Sequence, residues 1–466
     1  MSKRLIMILT LAFVVGITFA AYAEVQNVKV SGDITVSALA RNLGLSSYES
    51  ETAMVSQIRL RVDADLTDNV STTLRLINER YWGRSGDNTS TDGDSNTSID
   101  LDLAYVTMKE FLYSPLTLTV GRQELHFGND MIIGDAYTNG RAPTDSVFSS
   151  TIDADLNMRK SFDAIRASLN YDPLVIDVVG AQIRKVGVAT AYDAGSNIAL
   201  NNDNQEQLYG VNLGYALNKK TTLEAYAWER RVGADALTAM INKTDRTDTV
   251  GARFSTKPME NLTVQGEGAY QFGKVVNGDA NLFGVVLAGK NDATRSAWAA
   301  QTSVAYDLKN VKYIGKYSPT ATLMYSYFSG DAGTGKKYTG WDVMYENQTF
   351  GSIANNLFPQ TNQHTFGGAL TAKPMADVSL KGEYFAYWWD KKWADAARIR
   401  TLGPQQLVTM TNKKSIGQEL DLTATYDYTE DVQFSLLGGL FFAGSSFDKQ
   451  NRDTAGELIG KMKVTF

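Results

Sequence analysis

The sequence predicts an all-β chain: a transmembrane antiparallel β-barrel of about 18 strands, with short turns on one side of the membrane and long loops on the other. Three observations predict it. Apolar and polar residues alternate through most of the chain, the connectors alternate between short and long, and an N-terminal export signal precedes the pattern. After that signal no apolar run reaches the roughly 18 residues that a membrane helix needs.

The export signal consists of Lys3 and Arg4, an apolar run from Leu5 to Ala20, and small residues at Ala21 and Ala23 on either side of Tyr22. This is the pattern of a secretory signal peptide. Cleavage is expected after Ala23, giving a signal peptide of residues 1–23 and a barrel of residues 24–466. An N-terminal anchor is the weaker reading, because the run is short and ends in a cleavage motif. The expected location is the bacterial outer membrane.

The alternation is plain in Ile58-Arg59-Leu60-Arg61-Val62-Asp63-Ala64-Asp65-Leu66, where every even position is apolar and every odd one charged. It recurs at Leu420, Leu422, Ala424 and Tyr426 against Glu419, Asp421, Thr423 and Thr425. A helix would not hide such charges, since its apolar face recurs at about 3.6 residues. The expected strands are 28–42, 53–66, 70–82, 98–110, 115–126, 162–172, 174–185, 205–218 and 220–231. The remainder are 246–256, 260–272, 295–308, 319–329, 363–373, 376–388, 416–428, 431–442 and 456–466.

Short turns such as Thr67-Asp68-Asn69, Asp172-Pro173 and Lys373-Pro374-Met375-Ala376 are assigned to the periplasm, and the long polar loops, among them 127–161 and 330–362, to the outside. An even strand count places both strand termini in the periplasm. The last strand alternates and ends on Phe466, which resembles the C-terminal signal read by outer-membrane assembly machinery. Aromatics gather near strand ends at Tyr81-Trp82, Trp388-Trp389 and Phe441-Phe442, as interfacial girdles require. A soluble sandwich or propeller would bury mostly Val, Leu and Ile; here the apolar face is rich in Tyr, Gly and Ala.

Composition removes several functions. The chain of 466 residues has no cysteine, so disulfides and thiolate metal sites are excluded. A formal net charge of −6 argues against nucleic-acid binding, which wants a basic face. Only two histidines occur, His126 and His364, each at a strand end, and no paired metal ligands appear. A catalytic Ser-His arrangement is therefore disfavoured, no cofactor is expected, and the chain is read as a non-enzyme.

The pore wall carries the chemistry. With the apolar face toward lipid, the inward set includes Arg59, Arg61, Arg75, Arg166, Arg253 and Lys381. Arginine at mid-height facing lipid would cost about 2–4 kcal/mol. Acids line the same wall: Asp63, Asp100, Asp102, Glu267, Asp307, Glu383, Glu419 and Asp421. Two readings follow. The arginines brace the barrel by cross-strand pairing, or their guanidinium groups bind carboxylates and sugar hydroxyls. The loop 127–161 is too long for a plain connector and is expected to fold inward and narrow the pore.

The stretch Thr119-Val120-Gly121-Arg122-Gln123-Glu124-Leu125-His126-Phe127-Gly128-Asn129-Asp130, then Ile132-Ile133-Gly134-Asp135, then Arg159-Lys160-Ser161-Phe162-Asp163-Ala164-Ile165-Arg166, resembles the alginate export family of outer-membrane porins. Leu74-Arg75-Leu76 is a third matching element, and the clear match covers about residues 70–170. The resemblance implies an eighteen-stranded barrel whose arginine-lined lumen conducts an anionic polysaccharide, with Arg75, Arg122, Arg159 and Arg166 as selectivity candidates. Arg122 departs from strict alternation: Leu116, Leu118 and Val120 face lipid, so Arg122 needs a bulge near Gly121 to turn inward, or lies near the interface.

The leading functional expectation is passive passage of an anionic saccharide or other small anion. The alternatives are a general diffusion porin with a charge-paired lumen and a structural or adhesive barrel. The expected partners are membrane lipid, lipopolysaccharide, the assembly machinery and the anionic cargo, with no nucleic acid.

Overall fold

The computed structural model describes residues 27–45, 50–83, 99–136, 155–186, 204–232, 244–275, 293–331, 333, 337–402 and 406–466. The signal-peptide assignment and residues 137–154 of the long loop lie outside these. The first wall strands are β1 (Asn27–Asn42), β2 (Glu51–Thr67), β3 (Val70–Tyr81), β4 (Asp100–Met108), β5 (Leu116–Glu124) and β6 (Ser161–Asn170). Next come β7 (Leu174–Val186), β8 (Asn204–Asn218), β9 (Thr221–Val232), β10 (Asp245–Met259), β11 (Leu262–Val275), β12 (Ala293–Asp307) and β13 (Thr320–Phe328). After the two-residue β14 (Lys337–Tyr338) and the helix α1 (Ser352–Leu357) follow β15 (Gln363–Met375) and β16 (Val378–Trp389). A short hairpin of β17 (Arg398–Arg400) and β18 (Leu407–Thr409) precedes β19 (Ser415–Asp427), β20 (Val432–Ala443) and β21 (Ala455–Thr465).

Setting aside β14, β17 and β18, eighteen strands among the described residues form the wall. Each pairs antiparallel with its neighbours, and β1 pairs with both β2 and β21, which closes the barrel and leaves no sheet edge. All eighteen expected strands are present, with ends moved by up to three residues. At the seam Gly32 and Phe466 exchange both backbone hydrogen bonds, at 2.8 and 3.0 Å. No described helix is long and apolar enough to cross a membrane.

The period of two sorts the side chains. Ile58, Leu60, Leu74, Val120, Ile165, Val178, Leu422 and Leu458 stand exposed on the outer face, while Asp33, Thr35, Thr73, Glu79, Asp177 and Glu419 are buried on the inner one. The aromatic pairs split the same way. Trp82, Trp388 and Phe442 are exposed, whereas Tyr81, Trp389 and Phe441 are buried inside. Each pair therefore gives one ring to the girdle and one to the interior, because consecutive strand residues cannot share a face.

The interior is filled in its extracellular half. Residues 337–362 enter the barrel and carry Trp341, Val343, Met344, Tyr345, Ile353, Leu357 and Phe358 into one apolar cluster with Phe127, Ile133, Phe162, Trp228 and Phe385. Irregular backbone at membrane depth is tolerated when protein surrounds it. This corrects the sequence reading, which gave 330–362 only as an external loop. Its polar spacing resembles that of a surface loop, while its partners are scattered over distant strands. The described part of 127–161 also turns inward: Met131, Ile132 and Ile133 are buried, and Ile133 bridges to Tyr345.

Candidate functional site

The lumen wall is the candidate site, and most of its charges come in pairs. Asp33 and Arg59 stand opposite each other in register, and the carboxylate accepts from the guanidinium at 2.8 Å. Arg61 donates twice to Asp63 two residues along the same face, at 2.7 and 2.9 Å, and Thr73 donates to that carboxylate at 2.6 Å. Arg61 and Arg75 are direct cross-strand partners, a repulsive arrangement in isolation. Arg75 instead reaches away to Asp102 and Glu124, each at 2.5 Å. The side chain of Asp102 is fully buried there because the β3–β4 register shifts at Arg75 and Leu76.

Arg166 holds Asp177 at 2.8 Å and stacks over the Phe127 ring at 5.2 Å. Lys381 holds Glu383 at 2.8 Å. Arg159 bridges Glu79 at 3.1 Å and Asp100 at 2.7 Å, and with the Gln57 amide donating to the Leu156 carbonyl at 2.6 Å it ties the end of the long loop to β2–β4. Arg253 pairs with Glu224 and also donates to Gln265 at 3.0 Å.

Arg122 sits apart from this set. Gly121 takes φ +124°, yet the register holds: Arg122 lies opposite Asp163 and meets both carboxylate oxygens at 3.2 Å. Asp163 shares its face with exposed Ile165, between buried Phe162 and Ala164, so this pair stands on the outer face near the rim. Of the two alternatives left by the sequence, the interfacial one describes Arg122. The histidines occupy rim positions: His126 Nδ1 is 2.9 Å from Asp130 Oδ2, and His364 Nδ1 is 2.8 Å from the Tyr325 hydroxyl.

Two features escaped the sequence reading. The first is the anchorage of the inserted segment. Asp342 faces Arg230, Arg295 at 3.4 Å and Thr247 at 3.3 Å, while its backbone exchanges two 2.8 Å hydrogen bonds with the Gln271 amide. Across the lumen Glu419 accepts from the N–H groups of Ile353 and Ala354 at 2.6 and 2.8 Å, and Asp421 from that of Ser352 at 3.0 Å. The segment thus spans from the β9–β12 wall to β19.

The second is a pair of lysines on β21. Lys461 and Lys463 alternate with outward Leu458, Met462 and Val464 and so face the lumen. Lys461 lies between Ser37 and Ser435, and Lys463 between Thr35 and Gln433. Neither has a carboxylate within ion-pair distance among the described residues. Their signal was available in the alternation of the last strand; the lack of acids beside them was not, because it depends on register with β1 and β20.

A closed eighteen-strand barrel with an apolar outer belt, a charged lumen and inserted loops is an outer-membrane porin-type channel. The sequence profile of the alginate export family matches residues 34–461, so the chain belongs to that family. No curated protein matches the sequence. Among solved structures, OccK8 (OprE) of Pseudomonas aeruginosa superposes with a TM-score of 0.58 at 10% identity, covering 95% of this chain and 98% of that one. OpdK of the same organism gives 0.54 at 10% identity, covering 95% and 100%. OccK2 (OpdF), in complex with glucuronate, gives 0.52 at 12% identity, covering 95% and 99%. The protein is accordingly a multi-pass β-barrel of the bacterial outer membrane, surrounded by lipid.

Proposed function

We propose that the barrel is a passive channel favouring small anions, with carboxylated sugars as the leading cargo class. The observation that carries this reading is the unpaired Lys461–Lys463 face. Lumen arginines held by carboxylates act largely as braces, whereas two ammonium groups flanked by hydroxyls and an amide leave a net positive strip. Lumen charge in a confined, low-dielectric setting focuses the field on passing ions.

Exposure supports the same sign. The Arg166 side chain is 32% exposed against 6% for Asp177, and Lys381 47% against 19% for Glu383, so at these two pairs the cation meets water, whereas at Arg75–Glu124 the acid is the more exposed. Arg59, Arg61 and Arg75 are each held by carboxylates, Arg75 by two, and serve as braces. Arg159 and Arg122 hold a loop end and the outer rim, and are assigned no selectivity here. The filled extracellular half favours a solute of monosaccharide size over a polymer. The glucuronate bound to OccK2 is a cargo of this class in a barrel of similar fold.

The test is the K461E/K463E double variant in planar bilayers under a tenfold salt gradient, where an ideally selective pore gives about 59 mV. The parent should show an anion-side reversal potential, and the variant should lose it or change its sign. Folding is checked by heat-modifiable gel mobility. A folded variant with the parental reversal potential removes the lysines as the source of selectivity; a parent with no anion preference leaves a general diffusion porin.

A further inference from the structure

At the extracellular end of β15, β16 and β19, on the side turned to lipid, one carboxylate organises several cations. Asp390 follows the last residue of β16 and is buried. Its Oδ1 lies 3.3 Å from Lys391 Nζ and 3.7 Å from His364 Nε2. Its Oδ2 accepts from the Gly330 N–H at 2.8 Å and the Tyr327 hydroxyl at 3.5 Å, and its backbone carbonyl accepts from Lys414 Nζ at 2.6 Å. The Trp389 N–H donates to the Lys414 carbonyl at 2.9 Å, which fixes the two rim segments side by side. Lys392 and Lys413 flank this pair and are exposed. Apart from the Lys391–Asp390 contact, none of the four lysines has an ion pair among the described residues.

The column beneath is ordered. Going outward along the lipid face of β16 come Leu380, Tyr384 and Trp388, all exposed, and then the lysines. On β15 the exposed Leu370 and Phe366 precede His364. Apolar, then aromatic, then cationic is the order of a membrane interface: acyl chains, headgroup boundary, charged headgroup. On β9 and β10 the outward arginines meet acids. Arg231 and Arg246 on β9 and β10 are matched by Glu229 and Asp248, with Arg246 at 3.4 Å from the first and 3.0 Å from the second. The β15–β19 rim combines a girdle column with four clustered lysines that outnumber their organising acid.

We propose that this rim binds the phosphorylated headgroup of an outer-leaflet glycolipid, with Lys391, Lys392, Lys413 and Lys414 on its phosphates and Trp388 and Tyr384 along its acyl chains. Lysine ammonium groups serve phosphate as compact point charges with three donors each. One carboxylate cannot neutralise four ammonium groups, and Asp390 instead positions Lys391 and Lys414, one through its carboxylate and one through its carbonyl. Basic pockets at membrane-facing surfaces take up phosphorylated headgroups by this chemistry.

Native mass spectrometry of the full chain in detergent tests the site with diphosphorylated lipid A, the same lipid dephosphorylated, phosphatidylglycerol and inorganic phosphate. The parent should retain diphosphorylated lipid A, and K391Q/K392Q/K413Q/K414Q should bind it at least about tenfold more weakly. K392Q/K413Q touches neither Asp390 nor any hydrogen bond, so it should fold normally and show a smaller, severalfold loss. Equal binding by the folded variants overturns the site. Binding of dephosphorylated lipid A as tight as that of the phosphorylated form removes phosphate as the recognised group, and equal retention of phosphatidylglycerol removes the glycolipid as the occupant. Displacement of the lipid by millimolar inorganic phosphate alone also overturns it, since acyl-chain contacts along Trp388 and Tyr384 would then add nothing.

Discussion

Asp342→Ala should loosen the inserted segment and enlarge the pore. The Asp342 side chain is essentially buried and faces two guanidinium groups, Arg230 and Arg295, whose own side chains are nearly buried. It also accepts from the Met344 N–H at 2.9 Å, bending its own segment around the carboxylate. Removing one partner of a buried ion pair costs about 3–5 kcal/mol. The lower end applies, because Arg230 keeps Glu206 at 3.0 Å and Arg295 keeps the Gly340 carbonyl at 3.1 Å. A loss of about 3 kcal/mol shifts the docking equilibrium of residues 340–348 on the order of 150-fold. The opposite anchorage, from Glu419 and Asp421 to the start of α1, is untouched, so the segment stays tethered at one end. Single-channel recording in planar bilayers should therefore show larger and noisier openings than the parent, with barrel folding retained by gel mobility. Asp342→Asn, which keeps the shape and an acceptor but not the charge, should lie between. If folded Asp342→Ala gives the parental conductance and noise, the segment does not limit the pore and the latch reasoning fails.

Two further outcomes follow from local geometry. Hydrogen bonding to Asp130 raises the His126 imidazole above its ordinary value of about 6.5, so the contact stabilises the turn fully below that pH. The contribution is lost as pH rises through the raised value. Asp130→Asn should move the His126 titration down, read by NMR of a chain whose only other histidine is His364; an identical titration in the variant would contradict the assignment. Gly121→Ala should weaken the barrel, since a Cβ there would lie 2.2 Å from the Ala104 carbonyl oxygen and 2.9 Å from Tyr105 Cα, at φ +124°. Backbone strain of about 1–3 kcal/mol adds to the clash, and unfolding in urea with refolded lipid vesicles measures it; unchanged stability would mean that β4 yields freely.

The strands were legible because each one carries its own evidence. A lipid-facing strand must alternate over its whole length, so Ile58 through Leu66 announces both a strand and its inner face without reference to any other residue. The same logic put Arg59, Arg61, Arg75, Arg166 and Lys381 on the inner wall, where the structure has them. Arg122 needed more than alternation. Its outer-face position follows the period, and the family pattern around Gly121 pointed the other way. The inserted segment needed more still. Asp342 answers to Arg230, Arg295, Thr247 and Gln271, on four different strands, and nothing near residue 342 in the sequence signals them.

Inner-wall placement is therefore a weaker statement than selectivity. An arginine that faces the lumen is a field source only to the extent that its carboxylate partner fails to cancel it, and that partner is fixed by register. Arg59 stands opposite Asp33 and Arg75 reaches Asp102 through a register shift, so both are largely cancelled. Lys461 and Lys463 fall opposite Ser37, Ser435, Thr35 and Gln433, so they are not. A slip of β21 by two residues toward the start of β1 would leave every side chain on its present face while placing Lys463 beside Asp33 and Lys461 beside Thr35. The hydrophobic pattern would be unchanged, and the neighbours of each charge would not. Closure of the barrel at the β1–β21 seam, held by the Gly32–Phe466 backbone pair, is what sets that register, and with it the uncancelled charge that the proposed anion preference depends on.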